Sequence, residues 1–150
     1  MEIFGQSSLH KGIKHPTSVL WFARMTVAAV FLINVHCAVS FVLFPEQFTA
    51  AYELSGLAGR VAVQGLGVAF LMWNATYPAV IVHPWRFRTL FVVVLVQQTI
   101  GLVGESLILA SIPAGHNVLS GSILRFIAFD AAGLIVMASA FVVLRCSKRS

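Results

Sequence analysis

With 150 residues, 59% of them hydrophobic and only 10% charged, the chain has far too few charges for a soluble domain, in which about 25% is usual. The net charge of +5 is spread along the sequence and not gathered on one segment, which argues against nucleic-acid binding. The composition is that of a membrane protein, and four long apolar runs leave no room for a separate catalytic domain.

Residues 1–17 are polar, with Gly5, Gly12 and Pro16 opposing a long helix, and read as a cytoplasmic tail. The first apolar run, Ser18 to Phe44, exceeds the roughly 20 residues that cross a bilayer. Arg24, Asn34 and His36 interrupt it and no small-residue cleavage site follows, so it reads as an uncleaved helix. Pro45 ends this run. Phe48, Ala51, Tyr52 and Ser55 then recur at helical spacing, which predicts a short amphipathic helix on the outer surface between Glu46 and Ser55. Ser55-Gly56 turns the chain into a second run, Leu57 to Val82, closed by His83-Pro84. A third run covers Phe87 to Ile112, Pro113-Ala114-Gly115 makes a turn, and a fourth covers Leu119 to Leu144. The expected fold is an all-α membrane protein, a four-transmembrane-helix bundle over residues 18–145 with a C-terminal tail, 146–150.

Basic residues fix the expected sidedness. Lys11, Lys14, Arg86, Arg88, Arg145, Lys148 and Arg149 flank the runs on one side, whereas the alternate connections hold Glu46, Glu53 and His116. The positive-inside rule places both termini in the cytoplasm. Trp21, Tyr77 and Trp85 are expected in the inner aromatic belt, and Phe44, Phe48 and Tyr52 in the outer one. Cys37 and Cys146 lie at different depths, so no disulfide is expected.

Ionisable and amide side chains inside these runs are the candidate site. At 1.5 Å per residue, Asn34, His36, Gln64, Glu105 and Arg125 come to similar depth, about 24 to 28 Å from the inner ends, with Arg60 further out and Asp130 slightly deeper. Ionisable groups at such depth persist chiefly where they pair or meet a cavity. Glu105 is expected to pair with Arg60 or Arg125, either fixing helix register or orienting a ligand. Asp130 lies about 140° around the helix from Arg125 and is expected to face Asn34, His36 or a neighbouring subunit. Arg60, Gln64, Gly67, Leu71, Asn74 and Pro78 share a stripe, as do Gln98, Gly101 and Glu105, and the two stripes read as facing surfaces. An inner polar layer is expected from Arg24, Asn74, Gln97 and Gln98, where Pro78 breaks the helical bonding and either shapes a binding cavity or, the preferred reading, leaves an Asn74 carbonyl that the glutamines satisfy. His36 reads as a hydrogen-bonded core histidine, since no second intramembrane histidine is available for haem. No metal site and no catalytic motif is predicted, and no catalytic residue is assigned.

Four short-looped spans, a Gly-rich polar second helix and Gly101-Leu-Val-Gly104-Glu105 resemble the small DoxX-like and BphX-like bacterial membrane proteins. That resemblance implies the bacterial cytoplasmic membrane, redox-linked surroundings and partner subunits. Three rival functions follow, of which the first is the leading expectation. The first is an accessory subunit of a larger redox-linked assembly, docked through small residues such as Ala128 and Ala132, with no cofactor of its own. The second is a protein that binds or acts on a lipophilic quinone-like molecule or lipid, with Glu105 and Arg125 at its polar end. The third is an oligomeric, proton-coupled transporter or channel using Glu105 or Asp130.

Overall fold

The computed structural model describes residues 16–147, so the tail calculated from the sequence for residues 1–17 lies almost wholly outside the described residues, as do residues 148–150 of the C-terminal tail. The described chain is all α-helical: α1 (Thr17–Leu43), α2 (Glu46–Thr49) continued by a 3-10 turn (Ala50–Tyr52), α3 (Gly56–Asn74), α4 (Tyr77–Val82), α5 (Arg88–Ser111) and α6 (Asn117–Cys146). Four segments are long and apolar enough to cross a membrane: α1, α3 with α4, α5, and α6. Leu32, Leu57, Met72, Leu107 and Ile135 point outward and are each more than half exposed. Such an outward apolar surface is stable where lipid is the solvent. The chain is therefore a four-helix integral membrane protein.

The bundle is closed at one end and open at the other. At the end that holds the start of α1, the end of α6 and the α4–α5 connection, here the terminal end, all four spans contribute to one core. Ala23, Val27 and Val30 of α1 meet Tyr77 and Val80 of α4, Phe91 and Val94 of α5, and Met137, Ala140 and Leu144 of α6. At the opposite or loop end, α3 packs on α1 and α5 packs on α6, while α3 and α5 scarcely touch. The two polar stripes expected to face each other therefore do not. Gly67 turns toward α1, where an added Cβ would lie 2.7 Å from the carbonyl oxygen of Ala38. Gly101 instead faces Asp130 of α6.

The cause lies in the second span. Pro78 sits in the first turn of α4, where its missing amide is tolerated, and α3 ends just before it at Asn74. The Ala75 amide bonds back to the Met72 carbonyl at 3.3 Å, a tightened final turn. This break buries Tyr77 completely, so it is a core residue and not part of an aromatic belt. Its ring lies 6.0 Å from that of Phe31.

The segment after Pro45 is helical but short, and it folds inward. Phe48 and Tyr52 place their rings 4.7 and 6.0 Å from that of Phe41, roofing the loop end. Glu53 then adopts a left-handed backbone with φ of 54°. Its carboxylate bonds His116 and accepts the Leu119 amide at 3.3 Å, so it caps the start of α6 from another loop. The hydrogen bond from His116, joined by that from Leu119, holds the Glu53 carboxyl below the usual carboxylate range.

Candidate functional site

A hydrogen-bonded line crosses the bundle where the closed and open halves meet. The Tyr77 hydroxyl donates to Gln98 Oε1 at 3.2 Å, and Gln98 Nε2 donates to Asp130 Oδ1 at 2.7 Å. Three helices, α4, α5 and α6, are thereby tied through one glutamine that is only 2% exposed. Beside it, the Thr76 hydroxyl donates to Gln97 Oε1 at 3.3 Å. The glutamines thus bond side chains around the break, contrary to the expectation from the sequence that they satisfy the Asn74 carbonyl. Asp130 takes its hydrogen bonds from Gln98, and not from Asn34 or His36.

Immediately toward the loop end lies a cavity of about 220 Å³ between the separated α3 and α5. Trp73 and Asn74 of α3, Gly101 and Glu105 of α5, Asp130 of α6 and Asn34 of α1 line it. Ile100 and Ile108 stand at its rim, 61% and 54% exposed, so the opening faces sideways into the lipid region. Two buried oxygens in this cavity have no hydrogen-bond partner: Glu105 Oε2 and Asn74 Oδ1. Asn74 donates its amide nitrogen to the Phe70 carbonyl of its own helix, at 2.8 Å, and its buried oxygen accepts no hydrogen bond. Gly101 supplies space, because a Cβ there would run into the Asp130 carboxylate. Gly104 has nothing within 4 Å of an added Cβ and leaves the wall open.

The other expected members of the polar layer are elsewhere. Glu105 makes no ion pair among the described residues; Arg60 is 3.6 Å from Glu46, and Arg125 donates to Ser122 Oγ at 3.1 Å. Equal depth places residues in one layer but leaves their rotation about each helix unset, which is why the pairing fails. Gln64 donates to the Val42 carbonyl of α1 at 3.2 Å. His36 is exposed on the lipid-facing side of α1 with no partner among the described residues, so it is not a core histidine. Arg24 is outside the inner layer as well: it donates to the Val82 carbonyl at 2.8 Å, closing the C-terminus of α4, and lies 5.7 Å from the Trp21 ring. Thr76 and Tyr77 are the members of the network that the sequence reading omits. Their position just before Pro78 is the available signal, since a break there turns both inward.

Among the described residues no three His, Cys, Asp or Glu side chains gather as metal ligands. The arrangement offers hydrogen-bond acceptors and aromatic walls at the edge of lipid. Compared with protein-family models, curated proteins and solved structures, the chain finds no match in any of the three.

Proposed function

We propose that this protein binds a lipophilic, quinone-like small molecule in its reduced, hydroxyl-bearing form, drawn from the bilayer, with its polar ring in the cavity between α3 and α5. The observation that carries this reading is the buried, unpartnered Glu105 oxygen beside Asp130 in a cavity open to lipid. Burying a polar group without a partner is costly, and a hydroxyl-bearing ligand would supply the missing donor. Trp73 offers a flat wall for a ring, and the exposed isoleucine rim gives an apolar tail a path outward. The volume is below that of pockets that engulf drug-sized molecules, roughly 300 Å³ and more, which matches a ligand held only by its head. In this reading the likeness of Gly101-Leu-Val-Gly104-Glu105 to DoxX-like proteins has a physical content: the glycines make room and the glutamate receives the ligand. The cytoplasmic membrane of a bacterium, with both termini inside, is part of the same proposal.

The test uses purified protein in neutral detergent, titrated with decyl-hydroquinone and followed by native mass spectrometry. Saturable one-to-one binding is expected, and Gly104→Leu, which fills the cavity without meeting the backbone, should weaken it at least tenfold. No saturable binding, or equal binding by Gly104→Leu, would overturn the proposal.

An accessory-subunit role is a second reading, favoured by one observation: Gly121, Ala128 and Ala132 are exposed on α6. Small residues let a neighbouring transmembrane helix approach closely, whether from another subunit or a second copy. Enlarging Ala128 and Ala132 to Leu should then release partners that co-purify in mild detergent; unchanged co-purification would remove this reading.

A further inference from the structure

A second cavity, of about 470 Å³, lies on the other side of Asn34 and Phe126, which line both. Its floor is α1 and α6, and its roof is the short α2 with the following 3-10 turn. Phe41, Phe48, Tyr52, Phe126 and Phe129 make it largely aromatic. Arg125, itself exposed, lines this cavity about 12 Å along α6 from its start at Asn117. Its guanidinium donates to the Ser122 hydroxyl, and no carboxylate lies within 4.0 Å of it among the described residues. A guanidinium within a membrane-spanning segment calls for a counter-charge or water, because the apolar surroundings supply neither.

We propose that this roofed cavity binds a single-chain amphiphilic carboxylate, with Arg125 holding the head and the phenylalanines holding the chain. One guanidinium balances one negative charge, and its planar fork of donors matches the two oxygens of a carboxylate. Ser122 keeps that fork positioned through its hydroxyl. The aromatic walls provide the apolar contact that a free small anion would not use, and the volume falls in the range of single-ligand pockets. The site is chemically opposite to the acceptor-lined cavity of Glu105, so it does not rest on the function proposed above. A neutral ring suits one and an anion the other.

The experiment titrates the full chain, in a neutral maltoside detergent, with laurate, dodecanol and acetate. Isothermal calorimetry should give one saturable laurate site, with dodecanol and acetate each at least tenfold weaker. Arg125→Gln should reduce laurate affinity at least tenfold, and Arg125→Lys should recover part of it while losing the forked geometry. In parallel, a diazirine derivative of laurate is photolysed with the wild-type protein, which needs no variant to fold. Labelling should concentrate on Phe48, Phe126 and Phe129. Laurate affinity unchanged in a folded Arg125→Gln variant, or wild-type labelling centred on Ile100 and Ile108 instead, would overturn the proposal.

Discussion

Gln98 and Glu105 both project from α5 into the bundle, yet only Gln98 is held by its neighbours. Its two amide atoms connect Tyr77 to Asp130, so Gln98→Leu would strand a buried hydroxyl and a half-buried carboxylate together. Leaving buried partners unsatisfied costs about 1–3 kcal/mol for each group, and the variant should lose roughly 2–4 kcal/mol in detergent melting experiments. Glu105→Gln should behave differently. With no arginine attached to it, neutralising Glu105 strands no opposite charge, and the change in stability should stay within about 1 kcal/mol. A large loss on Glu105→Gln would mean that an ion pair holds this carboxylate after all. The comparison separates a structural amide from a carboxylate available to a ligand, although both residues share one helix.

At the scale of elements, close approach of α1 and α3 accounts for the sideways opening, because α3 leans away from α5 to reach α1. Gly67→Ala would drive a methyl group onto the Ala38 carbonyl and against Phe41, and should cost about 1–3 kcal/mol in melting experiments. Gly65→Ala, one position pair earlier on the same helix and with nothing within 4 Å, should be neutral or stabilising by up to about 1 kcal/mol. Equal effects would mean that the α1–α3 contact is loose. The four spans were legible because each apolar run is long enough to cross a bilayer and every connection between runs carries Pro or Gly. The rotation of each helix was not legible, since apolar residues surround every span and mark no single inward face. Glu105, Asp130, Gln98, Asn74 and Asn34 could therefore be singled out by polarity, while their partners could not. Tyr77 shows the same limit: near a predicted boundary an aromatic residue reads as interfacial, and only the break before Pro78 makes it core.

Across the whole molecule, the loop end is held by contacts of a different kind from the packed terminal end. Glu53 spans two loops, bonding His116 and the Leu119 amide, and thereby fastens the roof segment to the start of α6. Because these bonds lower the folded-state pKa of Glu53, their stabilisation is fully present above its unfolded value and is lost as pH falls through the lowered one. Acidification from roughly pH 5 to pH 3 should therefore loosen the loop end, with the terminal core, which contains no carboxylate, affected less. Hydrogen exchange read by mass spectrometry in detergent should show faster exchange across residues 46–55 and the first turn of α6 at the acid end of that range. Glu53→Gln removes the titrating group, so this variant should exchange rapidly in those segments at both pH values. If wild-type exchange there is independent of pH, or if Glu53→Gln retains the protection seen at higher pH, the carboxylate clasp is not what fastens the roof. The same fastening gives the bundle its relative sidedness: Glu53 and His116 share one face of the membrane, with Arg86 at the other end of the spans. Single cysteines placed at these three positions should label from one side for Glu53 and His116 and from the opposite side for Arg86, with the basic Arg86 side cytoplasmic. Labelling of Arg86 and His116 from the same side would require one of the four spans not to cross.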